Sequence, residues 1–230
     1  MTTEVKWAVG ITTVPSRLTT MFPRTMASIC DAGFEVDRIF VDDCNDPTPY
    51  VPYGCEITTR YPCIRTHGNW CLSLYELYVR YPHAEHFAIF QDDVVMVRNL
   101  REYFERSEKP QNAYFNLYTF PSNQHLAGER QTWFTANQKG KGAVGLIFPN
   151  RGVELLLTHE HLFGRPKCAQ RGWRAVDGGI VDTMRKQEWT EVCHNPSLTQ
   201  HIGDVSSMGN GRHQKAPTFP GESFDALTLL

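Results

Sequence analysis

Apolar residues fall along the chain in two rhythms: short runs of strand length, and longer stretches where they recur every third or fourth position. Residues 7–12 read as a first strand. In residues 19–32, Met21, Phe22, Met26 and Ile29 stand near helical spacing, and Gly33 sits where a helix stops. Residues 38–41 form a short buried strand ending at Asp42-Asp43. Pro47, Pro49 and Pro52 make residues 45–54 a loop. Leu72, Leu74, Tyr75, Leu77 and Tyr78 predict a helix over 69–81, with Pro82 past its end. Residues 86–90 are a strand entering Gln91-Asp92-Asp93, and Asn99 is placed to cap a short helix over 100–106. Strands are predicted at 113–119, 143–148 and 191–194. Helices are predicted at 151–158 and 178–186, the latter preceded by Asp177. Beyond Asn195 the chain is rich in Gly, Pro and Ser and reads as a tail folded over another part of the molecule.

Strands alternate with helices through the first hundred residues. That order predicts βαβ units, and so an α/β fold with a mainly parallel sheet and helices on both faces. Such sheets bind ligands beyond the carboxyl ends of their strands. Chemistry is therefore expected at residues 13–17, Asp42-Asp43 and Asp92-Asp93.

Composition narrows the function classes. At 230 residues the chain has the size of one domain, and 41% hydrophobic residues is too apolar for disorder. No apolar run approaches the ~18 residues of a membrane span, so no membrane partner is expected. Glu4 and Lys6 precede any apolar stretch, unlike a signal peptide. Seven cysteines, an odd number with no C-x-x-C, suggest free thiols and a cytoplasmic location. The net charge of −2 argues against a dedicated nucleic-acid binder. The charge is uneven, however. Residues 137–175 hold Lys139, Lys141, Arg151, Arg165, Lys167, Arg171 and Arg174 against only Glu154 and Glu160. That stretch is either a solvated face or a positive rim for a phosphorylated partner.

The most informative stretch is residues 87–95, where an apolar strand runs into two adjacent carboxylates. Side by side and partly desolvated, two ionised acids repel. A divalent cation removes that conflict, and Mg²⁺ or Mn²⁺ takes one or two protein carboxylates together with substrate phosphates. The plainer alternative is an aspartate pair in a turn, which fits poorly with the apolar residues that follow at 94–97.

Strand-Gln91-Asp92-Asp93-Val94 resembles the D-x-D or E-D-D motif of GT-A-fold glycosyltransferases, with Gln91 where the family has an acid. Residues 11–17, Asp42-Asp43, Gly68-Asn69, residues 142–152 and the segment Pro196-Ser197-Leu198-Thr199-Gln200-His201-Ile202-Gly203 resemble further parts of that family in order. The resemblance covers about residues 7–207. It implies a GT-A-like, Rossmann-like fold over a single domain, 1–230. A nucleotide-binding half would run to about residue 100 and an acceptor-side half over about 101–207, with a tail or lid over 208–230. It implies a hexosyltransferase using a nucleotide-sugar donor, UDP-linked by preference, with Mn²⁺ or Mg²⁺. Asp93 would ligate the metal, Asp92 would meet the ribose, and His201 would complete the metal shell. Thr13, Pro15, Arg17, Asp42, Asp43, Asn69 and Arg212 would line the donor site. Asp177 resembles the family's acid at the start of the late helix and would be the general base of an inverting enzyme, with Asp182 the second candidate.

Read as plain residues, His201 is equally a loop histidine and Asp177 a helix cap. Gly140 to Gly145 matches G-x-G-x-x-G, but a strand rather than a helix follows, which rejects a dinucleotide site. His159-Glu160-His161 cannot present both imidazoles on one helix face. The acceptor is a hydroxyl, on a glycan or small molecule, or on a hydroxymethylated base in DNA. The last possibility comes from the likeness to small anchorless bacteriophage transferases. Competing readings are a nucleotidyltransferase, a metal-dependent phosphoesterase, and a nucleotide-sugar-binding protein without turnover.

Overall fold

The computed structural model describes residues 6–160, 162, 176–203 and 213–230. Four strands pair in parallel in the order β3 (Glu56–Arg60), β2 (Arg38–Asp42), β1 (Trp7–Thr13) and β4 (His86–Gln91). The sheet continues through β8 (Gly145–Pro149), β6 (Ala113–Asn116), β9 (Thr190–His194) and β7 (Trp133–Thr135), making eight strands. Both β8 and β7 run against the rest. The mainly parallel α/β sheet expected from the strand–helix alternation is present.

Side chains of each strand alternate between two cores, as a pleated sheet requires. Val9, Ile11, Ile39, Val41, Ala88, Phe90, Phe115 and Ile147 face one core. The helices α1 (Phe22–Asp31) and α3 (Leu100–Arg106) cover it. Ala8, Phe40, Phe87, Ile89, Tyr114, Leu146 and Phe148 face the other, beneath α2 (Arg65–Arg80), α5 (Asn150–Thr158) and α6 (Val176–Lys186). Burial on both faces explains why β2 and β4 read as nearly unbroken apolar runs. Close approach of α2 to the sheet depends on Gly10, where a Cβ would lie 2.8 Å from the Phe40 ring and 2.9 Å from Leu77.

Several elements depart from the expectations. The segment 45–54 is not simply loop, because Thr48–Tyr53 winds as a 3-10 helix closed by Gly54 in the left-handed region. The β3 strand, the short helix α4 (Pro121–Ala127) and β7 were not foreseen. Each is short or half-exposed and carries little periodic signal. The α2 helix starts at Arg65, before the predicted residue 69. Asn99 precedes α3 without capping it, its amide donating instead to Asp225. Asp177 lies inside the first turn of α6 rather than before it. Past Asn195 the chain forms β10 (Thr199–His201), antiparallel to β5 (Val94–Met96). Residues 213–230 lie against the first core, where Phe219, Phe224, Leu227 and Leu229 pack.

Candidate active site

The carboxyl ends of β1 and β4 adjoin, with Thr12 beside Gln91 in register. Beyond that edge the chain places Asp92 and Asp93, both buried at 7% and 5% exposure. The Thr13 hydroxyl donates to Asp92 Oδ2 at 2.7 Å. Burial, and then the neighbouring Asp93 charge, push the Asp92 carboxyl up to about 6, against Thr13, Arg17 and the Val14 amide, which favour its ionised form. Asp93 has one oxygen, Oδ1, buried without a hydrogen-bond partner among the described residues. Its other oxygen, Oδ2, lies 3.4 Å from the Arg17 guanidinium and 3.5 Å from His201 Nε2.

The β5–β10 ladder brings His201 here. It pairs His201 with Val94, the residue after Asp93, and the Ile202 amide donates to the Asp93 carbonyl at 2.8 Å. A third side chain joins from the far end of the chain. The Ala216 amide donates to Gln200 Oε1, the Lys215 ammonium to the His201 carbonyl, and the Tyr118 hydroxyl to the Gln214 carbonyl. These bonds set the His213 ring on the His201 ring, centroids 3.8 Å apart and 21° from parallel. One ligand atom from each of Asp93, His201 and His213 then falls within 4.8 Å of the others. Burial lowers both imidazole pKa values, though the Asp93 charge opposes it, and so favours the neutral, ligating form.

A divalent metal fits this group. The donors are one carboxylate and two imidazoles, Asp93 Oδ1 lacks another partner among the described residues, and Gly203 keeps the space open. A Cβ at Gly203 would come 3.1 Å from His201 Cε1 and 3.3 Å from Asp93 Oδ2. Gln91 takes no part, because its amide donates to the Ala143 carbonyl at 2.9 Å and ties β4 to the loop before β8.

The remaining expected residues divide. Thr13, Arg17, Asp92, Asp93 and His201 converge, and Pro15 opens the exposed 3-10 turn that carries Arg17. Asp42 Oδ1 accepts from the Ile64 amide at 2.9 Å and Oδ2 from the Cys63 thiol, so both oxygens hold the lead into α2. Asp43 is exposed beside it with φ +56°. Asn69 is buried between the Arg60 guanidinium and the Phe40 carbonyl. Asp177 accepts from the Gly142 amide at 3.2 Å, on the β8 side of the edge, and Asp182 lies half-buried further along α6. Arg212, Arg165, Lys167, Arg171, Arg174 and His161 lie outside the described residues.

Sequence reasoning passed over two residues. His213 follows Arg212, which the resemblance assigns to the donor site, and its own ligand chemistry was the available signal. Glu191 is a glutamate within a buried strand, and that incongruity was legible. Asn116 Nδ2 donates to its Oε1 at 2.9 Å, and burial, aided by the Asp177 charge, pushes its carboxyl up to about 7.

No family profile and no curated protein matches the sequence. Solved structures match the fold. A structure of GalNAc-T7 with UDP, GalNAc and Mn²⁺ aligns with a TM-score of 0.59 at 9% identity, over 96% of this chain and 47% of the other. The fold is that of the GT-A glycosyltransferases. This chain spans about half the length of that GT-A counterpart. The glycosyltransferase GlyE of Streptococcus pneumoniae TIGR4 aligns more loosely, at a TM-score of 0.48 and 11% identity, over 81% of this chain and 45% of the other. At 9% identity the likeness to the GalNAc-T7 structure speaks to the fold alone.

Proposed function

We propose that the protein is a metal-dependent glycosyltransferase that moves a hexose from a nucleoside diphosphate sugar, UDP-linked by preference, to a hydroxyl acceptor. The observation that carries this reading is the convergence of Asp93, His201 and His213 at the carboxyl edge of a GT-A-like sheet. Two imidazoles among three donors favour Mn²⁺ over Mg²⁺. The ion would supply Lewis acidity to the leaving diphosphate.

The chain's own residues supply the rest. Asp92, oriented by Thr13, offers a carboxylate to a sugar hydroxyl of the nucleotide. The 3-10 turn over Pro15–Arg17 presents a guanidinium beside it. The two imidazoles offset the acid that Gln91 lacks, which weighs against a binding protein without turnover. On the acceptor side, Asp177 is the candidate general base if the sugar's configuration inverts, and the Gly142 amide fixes its carboxylate. The exposed Lys139 and Lys141 precede β8 on that side. With a DNA acceptor, transfer would fall as salt rises, whereas a neutral glycan predicts salt-insensitive turnover.

Donor turnover measured with and without Mn²⁺ tests the proposal. Wild-type protein should hydrolyse or transfer from a UDP-sugar only with the metal, and Asp93→Asn should abolish this while melting as wild type does. Metal-independent turnover, or an Asp93→Asn variant as active as wild type at limiting Mn²⁺, would sink it.

A further inference from the structure

Asp93 Oδ2 is shared. The Arg17 guanidinium lies 3.4 Å from it and His201 Nε2 lies 3.5 Å from it. Arg17 is only 11% exposed, and its charge reaches beyond Asp93, acting on Asp92 and on the His213 ring. A cation held by Asp93, His201 and His213 would therefore sit beside a fixed positive charge and share with it the single carboxylate of Asp93. Among side chains this buried, two neighbouring cations repel strongly. A diphosphate relieves the conflict because it gives both cations an anionic partner, and a planar guanidinium matches phosphate oxygens well.

We infer that Arg17 couples metal binding to donor binding: it competes with the divalent ion for Asp93 and transfers to the donor's diphosphate when nucleotide and metal arrive together. The inference rests on the metal-dependent reading above. Arg17 is then a positioning residue whose effect has opposite sign in two measurements. It weakens the metal alone and strengthens the nucleotide in the metal's presence. It also keeps the ion from settling without the substrate that it serves.

The test uses the full chain, Mn²⁺ alone and UDP as probes, with bound Mn²⁺ followed by electron paramagnetic resonance and UDP by calorimetry. In wild type, UDP should tighten Mn²⁺ binding by roughly 10–100-fold, within the usual range of coupling between sites. Arg17→Gln should bind Mn²⁺ alone about tenfold or more tightly than wild type and bind UDP with Mn²⁺ more weakly, so the coupling falls by a similar factor. Arg17→Lys keeps the charge and should leave Mn²⁺ alone as weak as in wild type. Mn²⁺ affinity that is unchanged or lower in a folded Arg17→Gln variant overturns the inference and leaves the metal site standing. Wild type that binds no Mn²⁺ even with UDP, or binding that Asp93→Asn does not alter, overturns the metal site and this inference with it.

Discussion

At the scale of single residues, two of the candidates can be told apart from their structural surroundings. His213 is half-buried and stacks on His201 without belonging to a core. His213→Ala should leave the melting temperature close to wild type and lower Mn²⁺ affinity about 10- to 100-fold, the scale on which a metal's surroundings tune its binding. Unchanged Mn²⁺ affinity in a titration with UDP present would remove His213 from the ligand group. Asp177 makes the converse case. Its Oδ2 accepts the Gly142 amide, and an amide at this position retains an acceptor oxygen. If transfer inverts the sugar's configuration, Asp177→Asn should lower kcat by about 10²–10⁴-fold with donor affinity preserved, as loss of a general base does. Normal turnover with a lowered melting temperature would assign Asp177 to structure alone. The His194 ring shows the structural alternative fully developed. It is buried between the Tyr103 hydroxyl, 2.6 Å from Nε2, and the Pro196 carbonyl, 2.7 Å from Nδ1, and burial pushes it down to about 4.

Among the elements, β9 brings an acid into a place that an apolar residue would fill more cheaply. Glu191 is 2% exposed, and its backbone is bracketed by Gln138, whose side chain bonds both the Glu191 amide and the carbonyl. Its ordinary value of 4.5 is raised to about 7, burial being the main cause. Below the unfolded value both states hold the proton. Between about 4.5 and 7 the unfolded chain has released it while the folded chain retains it, so this contribution to stability is lost as pH rises through that window. Glu191→Gln, which stays neutral and still accepts from Asn116, should remove that slope. At pH 8 it should exceed wild type by about 3 kcal/mol, the scale of a shift this large. Urea denaturation at pH 5 and pH 8 reads the difference, and parallel pH profiles for the two proteins would refute the role of burial.

For the whole molecule, the site is closed by chain segments distant from one another in sequence. The first strand's loop brings Arg17, β4 delivers Asp93, the β5–β10 pairing delivers His201, and residues 213–216 bring His213. The segment 213–230 also packs Phe219, Phe224, Leu227 and Leu229 on the first core and buries Ala226 completely. Deleting residues 213–230 should therefore cost both metal binding and stability, on the order of 4 kcal/mol or more from the apolar burial lost. That corresponds to a fall in melting temperature of about 10 °C or more. His213→Ala, by contrast, should weaken metal binding alone. A deletion variant that melts with wild type would show that the segment contributes no packing.

How much was legible beforehand follows from the range of each interaction. Hydrophobic rhythm is local, so β1, β2, β4, α1, α3, α5 and the parallel core could be read from it within a few residues. The incongruity of two acids ending an apolar strand was local as well, and with the family resemblance it pointed to Asp93 and His201. The β3 strand escaped because it is half-exposed, and β7 because three residues are too few to carry a rhythm. The parts played by Asp42 and Asn69, holding the α2 approach and its Arg60 contact, depend on backbone groups brought near by the β2–β3–α2 arrangement. His213 had no local sign beyond its side-chain type. Its place beside His201 is decided by the return of the chain against β10, by the bonds of Gln200 and Lys215 that hold it there, and by a pocket that Gly203 leaves open. The strand pattern and the acid pair ending β4 lay in the sequence, while the meeting of Arg17 and His201 at one oxygen of Asp93 came from tertiary packing, because residues nearly two hundred positions apart meet only when the chain folds back on its sheet.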